Sequence, residues 1–361
     1  MHRRNFIFGS GLLILHPAFA LTKTHTTIIA ASDNAKGQHF ISWFDGKLKQ
    51  VKVPHRGHGL AFHPLKENTV LLFGRRPQRF CYEINLQQQR ISHEINTNEN
   101  YHFCGHGCFS RDGQRLFTTE MNQKTTQGMV CVRDSVTYKK LAEYDSGGID
   151  PHDIHLLNHR NQLVVANGGI LTRPDTGRKK LNLATMQSNL VLLDADTGQK
   201  QQVFSSQWQQ ASLRHLSVAK NDTIAIGMQY QREAVTHQKT IPLTGFLTAG
   251  AQKIQFNHAP ELLIQQLNDY VGSVVVNDDN GVVGFSSPKG NMVAFWKLDG
   301  NYVGHHRMHD VCGLGLSQDK KHFILNNSRG ELRYLTADGL KLVKNLGQQL
   351  NTRWDNHFIT S

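Results

Sequence analysis

The sequence lacks the short motifs that mark the best-known catalytic chemistries. It contains no G-x-S-x-G nucleophile elbow, no H-E-x-x-H zinc motif, no phosphate-binding P-loop and no Rossmann glycine fingerprint. It also contains no C-x-x-C-H, so covalent attachment of a c-type haem is not indicated. No enzyme class that depends on these motifs is supported, and function has to be inferred from the fold and from the placement of other residues.

Proline is scarce, with 9 residues against 31 glycines, and the glycines follow no fixed period, which excludes a collagen-like chain. No long apolar stretch occurs after residue 20, which excludes a multi-span helical membrane protein. Hydrophobic residues make up 39% of the 361 residues, and charged residues make up 19%. That balance supplies a core and excludes wholesale disorder.

The first twenty residues contain no Asp or Glu, and they read as an export signal. Two arginines at 3–4 precede an apolar stretch at 6–15 that is too short to span a bilayer, and residues 18–20 form an A-x-A cleavage site. The pattern predicts a signal peptide over 1–20, cleaved after Ala20, and a single domain over 21–361. We therefore expect a periplasmic protein with no stable membrane insertion once the signal is removed.

The export route is open between two alternatives. The R-R-x-F pattern resembles the twin-arginine signal of proteins that are exported already folded. His2 and Phe8 replace the usual flanking residues of that signal, so a Sec signal is the alternative.

Export also changes how the net charge of +12 is interpreted. Nucleic acid is the usual partner of a basic chain, but outside the cytoplasm, and without an aromatic-interleaved basic patch, we expect none.

The five cysteines include a Cys104-Gly105-His106-Gly107-Cys108 segment. In an extended strand, Cys104, His106 and Cys108 would share one side because side chains alternate with period two. The segment could ligate a soft metal, or it could hold buried thiols beside a tight backbone. We favour the buried thiols.

The chain repeats one pattern, in which a glycine- or histidine-rich start is followed by a polar turn and apolar strands. His58 and His106 are 48 residues apart, and His106 and His152 are 46 apart. Four short strands per roughly 40–50 residues is typical of a β-propeller blade of the WD40-like kind, and the mature chain has room for about seven. The N-terminus supplies three strands and residues 354–359 supply a fourth, which predicts a blade shared between the two termini. We predict an all-β, seven-bladed propeller rather than a pair of β-sandwiches.

Histidines recur where the inner strands of four consecutive blades begin. His58, His106, His152 and His215 are expected to converge on one mouth of the channel, and with Glu120 they are our candidate metal ligands. Two considerations oppose this interpretation. WD-class propellers use a recurrent histidine only to hydrogen-bond between strands, and propeller channels are often too wide for ligands from opposite blades.

Further polar residues are expected on the same face of the channel. The predicted channel-face binding residues are Asp153, Asn167, Gln229, Asp310, Asn356 and His357. A long loop between second and third strands, residues 168–189, is expected to carry five charged side chains over the mouth: Arg173, Asp175, Arg178, Lys179 and Lys180. A second insertion is predicted at about 232–254.

Several motifs resemble those of a bacterial family of exported propellers, the domain of unknown function family 1513. They include Gly57-His58-Gly59, Gly105-His106-Gly107, Arg214-His215-Leu216, Trp354-Asp355-Asn356-His357 and the stretches 148–153, 164–170 and 180–186. The resemblance implies a twin-arginine type of signal, a periplasmic location and genes beside imelysin-type and di-haem proteins, a setting associated with iron uptake. It implies a partner of imelysin or di-haem type. It supplies no established catalytic residues.

Three functions remain open on the sequence. The first is a non-enzymatic propeller that binds an iron or copper ion, a metal complex or a metal-handling partner at its histidine-lined face. The second is a metal-dependent enzyme, a lactonase-like hydrolase or an oxidoreductase, with Glu120 or Asp153 as the base. The third is a protein-interaction scaffold in which the histidines are structural. We favour the first.

Overall fold

The repeated apolar segments form short antiparallel strands in the computed structural model, which describes residues 26–177, 179–235 and 240–361. Within these residues 28 strands build seven four-stranded sheets, six of them in consecutive strand order and the seventh with β28 beside β1. Each inner strand contacts the inner strands of the two neighbouring sheets, so the sheets close into a ring. The predicted seven-bladed propeller is confirmed. The predicted signal peptide and Arg178 lie outside the described residues.

The first three strands of the chain are β1 (Ile28–Asp33), β2 (His39–Phe44) and β3 (Leu48–Val53). Blade 1 contains β4 (Gly57–Phe62), β5 (Thr69–Gly74), β6 (Phe80–Asn85) and β7 (Arg90–Asn96). Blade 2 contains β8 (Tyr101–Phe109), β9 (Arg115–Asn122), β10 (Gln127–Asp134) and β11 (Lys140–Asp145). Blade 3 contains β12 (Pro151–Leu156), β13 (Gln162–Asn167), β14 (Asn189–Asp194) and β15 (Lys200–Ser205).

Blade 4 contains β16 (Ala211–Val218), β17 (Ile224–Tyr230), β18 (Thr244–Leu247) and β19 (Gln255–Phe256). Blade 5 contains β20 (Ser273–Asn277), β21 (Val282–Ser287), β22 (Met292–Lys297) and β23 (Tyr302–Arg307). Blade 6 contains β24 (Val311–Leu316), β25 (His322–Asn327), β26 (Glu331–Thr336) and β27 (Gln348–Gln349). The last strand, β28 (Arg353–Thr360), joins β1, β2 and β3 to form blade 7.

The burial of each strand explains its sequence. Second strands are covered on both faces by neighbouring blades and read as continuous apolar runs, as in β5, where every residue is buried. Outer strands face solvent, and β7 has a single buried residue. The core is therefore a ring of inter-blade layers around the channel.

Blade 7 is the predicted blade shared by the termini. β1 pairs antiparallel with β28, with Ile28 opposite Thr360 and Ala30 opposite Phe358. Trp354, at the start of β28, is only 3% exposed. The pairing covers an edge of β1 that would otherwise carry unpaired backbone groups.

Two departures from the predicted fold lie in the long insertions. The insertion predicted at about 232–254 is shorter, because Thr244–Leu247 already forms β18. A short helix, α1 (Glu261–Gln266), links blades 4 and 5, and three 3-10 turns lie at Pro174–Thr176, Arg232–Ala234 and Lys344–Leu346. No helix in the described part of the chain is long and apolar enough to cross a membrane.

Candidate metal centre

The inner strands turn their histidines toward the axis by means of β-bulges. The pairing of β4 with β5 shifts register between Gly57 and Leu60, next to His58. The inner strands of blades 2, 3, 4 and 7 show the same shift beside His106, His152, His215 and His357. A bulge breaks the strict alternation of a strand and re-aims a side chain. The repeated bulge therefore directs one imidazole per blade into the channel.

Five imidazoles meet on the axis and form what we call the histidine cluster. Its members are His58, His106, His152, His215 and His357, from blades 1, 2, 3, 4 and 7. Their ring centroids lie 4.6 to 6.2 Å apart in eight pairwise contacts. His215 and His357 lie 4.8 Å apart although two blades separate them. The expected obstacle of a wide channel is therefore absent.

Glycines allow the inner strands to approach this closely. A Cβ atom on Gly59 would lie 2.5 Å from the carbonyl oxygen of Gly105. A Cβ atom on Gly105 would lie 2.7 Å from the ring of His58, and Gly105 also has a φ of +111°, which side-chain-bearing residues rarely adopt. The Gly-His-Gly repeats thus make room for the rings that they carry.

The ring nitrogens converge in two overlapping groups. The ligand atoms of His58, His106 and His357 lie within 4.8 Å of one another, and so do those of His106, His152 and His215. His106 belongs to both groups. Three buried ring nitrogens, Nε2 of His106, Nδ1 of His215 and Nε2 of His357, have no hydrogen-bond partner. Buried polar atoms without a partner are rare in folded proteins, and here all three belong to histidines of the converging groups.

Two carboxylates orient members of the histidine cluster from outside. Nδ1 of His58 lies 3.3 Å from Asp355, and Nδ1 of His106 lies 3.3 Å from Asp153. A carboxylate at Nδ1 holds the proton on that nitrogen and leaves the Nε2 lone pair free, which is the usual arrangement behind a metal-bound histidine. Asp153 is itself held by the backbone N–H groups of Ile154 and Leu216, each at 2.9 Å.

Burial keeps the histidine cluster uncharged. Burial lowers the pKa of His58 to about 3, although Asp355 favours its protonated form. The pKa values of His152, His215 and His357 are held well below their usual range, first by burial and then by neighbouring positive groups. Burial likewise lowers the pKa of His106. Neutral imidazole is the form that binds metals, so no deprotonation cost opposes binding at neutral pH.

Buried ion pairs surround the histidine cluster on the mouth side. The guanidinium of Arg214 donates to Nδ1 of His152 at 2.8 Å and to Asp150 at 3.0 Å. Asp150 also pairs with Arg76 at 2.5 Å. Burial raises the pKa of the Asp150 carboxyl, but Arg76 and Arg214 more than offset burial and lower it overall. Asp150 therefore stays ionised and fixes the arginine that contacts the imidazole of His152.

A cavity of about 420 Å³ opens above the histidine cluster at the mouth of the channel. We call it the mouth cavity. Its lining includes three members of the histidine cluster, His58, His152 and His215, and five basic side chains: Arg75, Arg76, Arg214, Lys180 and Lys289. A small molecule entering from solvent would reach the imidazoles through this space.

The comparisons with known proteins identify the family. The model of a family described as a protein of unknown function, DUF1513, matches residues 51–361. The chain belongs to the DUF1513 family. This DUF1513 protein resembles hydrazine synthase of Kuenenia stuttgartiensis with a TM-score of 0.61 and 13% identity, over 85% of this chain and 94% of that one. It also resembles the computationally designed Ika8 protein with a TM-score of 0.57 and 12% identity, over 90% and 89% of the two chains. At such identities the likeness concerns the fold alone, and no curated protein matches the sequence.

The predicted residues of the DUF1513 protein separate into two sets. His58, His106, His152 and His215 meet in the histidine cluster, and the predicted channel-face residues His357 and Asp153 join them there. Glu120 does not. Its carboxylate, 1% exposed, accepts hydrogen bonds from Thr118 at 2.7 Å and from Arg133 at 2.7 Å. This inter-strand ion pair occupies the carboxylate and removes Glu120 from the ligands and from the candidate bases.

The other channel-face residues have mixed positions. Gln229 and Asn356 line the mouth cavity. Asn167 is buried in a structural network, where its amide donates to the carbonyl of Ser146 and to Asn189, each at 2.8 Å. Asp310 accepts a hydrogen bond from Ser328 and is not among the residues that line the mouth cavity.

The charged loop after β13 covers the mouth only in part. Lys180 lines the mouth cavity, where it donates to Gln231 at 2.5 Å. Arg173 and Asp175 point to solvent, with 53% and 71% of their side chains exposed. Lys179 is exposed too. One lysine of the loop therefore reaches the candidate site.

The segment from Cys104 to Cys108 contains two free thiols, which lie outside the two converging groups of ligand atoms. The bulge at Gly105 breaks the alternation that would have placed Cys104, His106 and Cys108 on one side. Burial raises the pKa of Cys104 well above its usual value and also raises that of Cys108, so neither is a thiolate at neutral pH. The interpretation as buried thiols agrees with the burial of Cys104, whereas Cys108 is half-buried.

Sequence reasoning missed the charged residues that frame the histidine cluster. Arg75, Arg76, Asp150, Arg214 and Asp355 all contact a member of the cluster, line the mouth cavity or pair with a residue that does. A signal was present: Asp150, Arg214 and Asp355 each lie one or two positions before a histidine of the cluster. A charge beside three of the five histidines indicates a partner for the ring.

Proposed function

We propose that this DUF1513 protein binds a transition-metal ion, iron or copper, at the histidine cluster and acts in metal handling without being an enzyme. The observation that carries the proposal is the contact of five imidazoles from five blades, three of them buried and two half-buried. Three of the five have a buried ring nitrogen with no hydrogen-bond partner. Leaving a buried polar atom unsatisfied costs about 1–3 kcal/mol. A bound ion would take up the free lone pairs and offset that cost.

The chemistry of the ligands narrows the choice of ion. Imidazole nitrogen suits copper, iron, zinc and nickel, whereas calcium and magnesium prefer oxygen ligands. Copper(II) binds a given nitrogen site most tightly among the divalent first-row ions, so we expect copper(II) to give the highest affinity in vitro. Iron remains the proposed cargo in the setting that the family resemblance implies, because availability as well as affinity selects the ion in a cell.

The direct test is metal analysis of the protein purified without a polyhistidine tag. We expect a stoichiometric amount of iron or copper, or uptake of copper(II) in equilibrium dialysis. The variant His106→Ala removes the imidazole shared by both groups and should abolish uptake. The variant His305→Ala removes an exposed histidine of β23 and serves as the matched control. A protein that takes up no metal, or a His106→Ala variant that binds as the native chain does, contradicts the proposal.

The periplasmic location and an accessory role in iron acquisition belong to the same proposal. They rest on the signal-like residues 1–20 and on the family resemblance. We expect the mature protein to begin at Leu21 and to be found in the periplasmic fraction. A chain recovered in the cytoplasm with Met1 intact would contradict the location.

A metal-handling protein of imelysin or di-haem type is the proposed partner. Purified partner and propeller should co-elute, and copper transferred from one to the other should be detectable in the separated proteins. If neither a complex nor copper transfer is detected, the proposed partner is contradicted and the metal-binding proposal is unaffected.

A further inference from the structure

The histidine cluster offers a bound ion no negative charge. Among the described residues, the two groups whose ligand atoms converge contain histidines alone. The carboxylates nearest the cluster are already engaged, Asp355 with Arg75 at 2.9 Å and Asp153 with two backbone N–H groups. An ion held by neutral imidazoles therefore keeps its full charge in a buried place.

The buried carboxylates around the cluster already have partners. Asp150 pairs with Arg76 and Arg214, and Asp355 pairs with Arg75 and Arg56. Asp153 lies 3.3 Å from His106 and 3.4 Å from His155. A divalent ion would add two positive charges, and none of these three carboxylates is left without a partner to offset them. Burying an unpaired charge is costly, so the ion calls for an anion that the chain does not supply.

The mouth cavity has the donors to hold such an anion. Nε of Arg214 is buried without a hydrogen-bond partner, and only 6% of the Arg214 side chain is exposed. Two carboxylates also line the mouth cavity, and they pair with other cations, Glu233 with Lys180 and Asp269 with Arg232. The ammonium of Lys289 lies 5.1 Å above the ring of Tyr270. Arg76 also lines the cavity. Guanidinium groups match the planar fork of a carboxylate, and about 420 Å³ accommodates a small organic anion.

We propose that the histidine cluster binds its metal together with a small carboxylate anion, which enters through the mouth cavity and lies between the ion and Arg76, Arg214 and Lys289. The inference rests on the proposed metal-binding function and specifies its cargo as a metal–carboxylate pair rather than a bare ion. The anion supplies the charge that the imidazoles lack. The positively charged guanidinium groups of Arg76 and Arg214 favour this anion over a neutral water molecule.

The test uses the full-length protein loaded with copper(II), whose visible and electron paramagnetic resonance spectra report changes of ligand. Copper uptake is measured first, and then acetate is titrated at constant ionic strength. We expect a saturable spectral change. The variant Lys289→Met, which removes an exposed cation of the mouth, should weaken acetate about threefold, and Arg76→Gln should weaken it about tenfold, or 1.4 kcal/mol. The variant Lys297→Met removes an exposed lysine of β22 and should leave the acetate affinity unchanged.

The outcomes separate the two proposals. If no copper binds, the metal-binding function and this inference both fail. If copper binds but acetate causes no saturable change, or if acetate binds equally well to the native protein, Lys289→Met and Arg76→Gln, only the carboxylate is overturned. A spectrum that responds to hydroxide and not to acetate would assign charge compensation to a metal-bound hydroxide and would also overturn it.

Discussion

Removal of the imidazole of His106 should abolish the stabilisation of this protein by copper(II). His106 is the one residue common to both groups of converging ring nitrogens, and its Nε2 is buried with no partner. A ligand present at 100 times its Kd stabilises the native state by about 2.7 kcal/mol. Unfolding entropy of about 2.1 cal/mol/K per residue, over the roughly 330 described residues, gives about 0.7 kcal/mol/K. The expected rise in Tm is therefore about 4 °C.

The assay is thermal unfolding of each protein with and without copper(II). Because His106→Ala leaves a cavity and can lower the Tm of the metal-free protein, the quantity compared is the shift caused by copper within each protein. His106→Gln retains more of the volume and checks that the loss does not come from collapse of the channel. The control His305→Ala should keep the full shift. An equal copper-induced shift in native protein and in both His106 variants would refute the reasoning.

Three further predictions concern Asp153 at the site and two buried groups outside it, Glu120 and His63. Asp153→Asn should weaken copper(II) binding about 10- to 100-fold in equilibrium dialysis, because the carboxylate that orients an imidazole is lost, and unchanged affinity would contradict its orienting role. Glu120→Ala should cost about 3–5 kcal/mol in denaturant unfolding, because Arg133 is left buried and unpaired, while copper affinity stays unchanged; weaker copper binding would restore Glu120 to the site. Burial lowers the pKa of His63 in the native protein. Below about pH 6.5 the imidazole is therefore protonated in the unfolded chain while it is still neutral in the native one, so the free energy of unfolding should decrease as the pH drops. The pH dependence of unfolding should be flatter in His63→Gln, and parallel curves would contradict this assignment.

The fold could be predicted because propeller repeats leave a mark along the chain. The spacing of His58, His106 and His152 gave the length of a blade, and the fourth strand at the C-terminus indicated a blade shared with the N-terminus. Convergence of the histidines followed from topology, since residues at equivalent positions of inner strands share one end of the channel. These inferences needed only the order of the strands.

The distances in the site could not be predicted because they depend on local backbone geometry. Strict alternation placed Cys104 and His106 on one side of a strand, but a bulge at Gly105 turns the imidazole to the axis and leaves the thiol outside the converging ligand atoms. Glu120 lies near the end of β9, and sequence position does not reveal that Arg133, on the next strand, pairs with its carboxylate. Side-chain pairing across strands requires register, which the repeat pattern leaves undetermined.

The site and the closure of the ring depend on the same strand. β28 supplies His357 to the histidine cluster and Asp355 to the imidazole of His58, and it also pairs with β1 to complete blade 7. The group formed by His58, His106 and His357 can exist only when β28 is in place. A ligand that binds the assembled site and not the open chain must, by linkage, favour the closed state. A metal ion bound at the cluster would therefore tie the last strand of the chain to blades 1 and 2, so that loading of the site and completion of the ring stabilise each other.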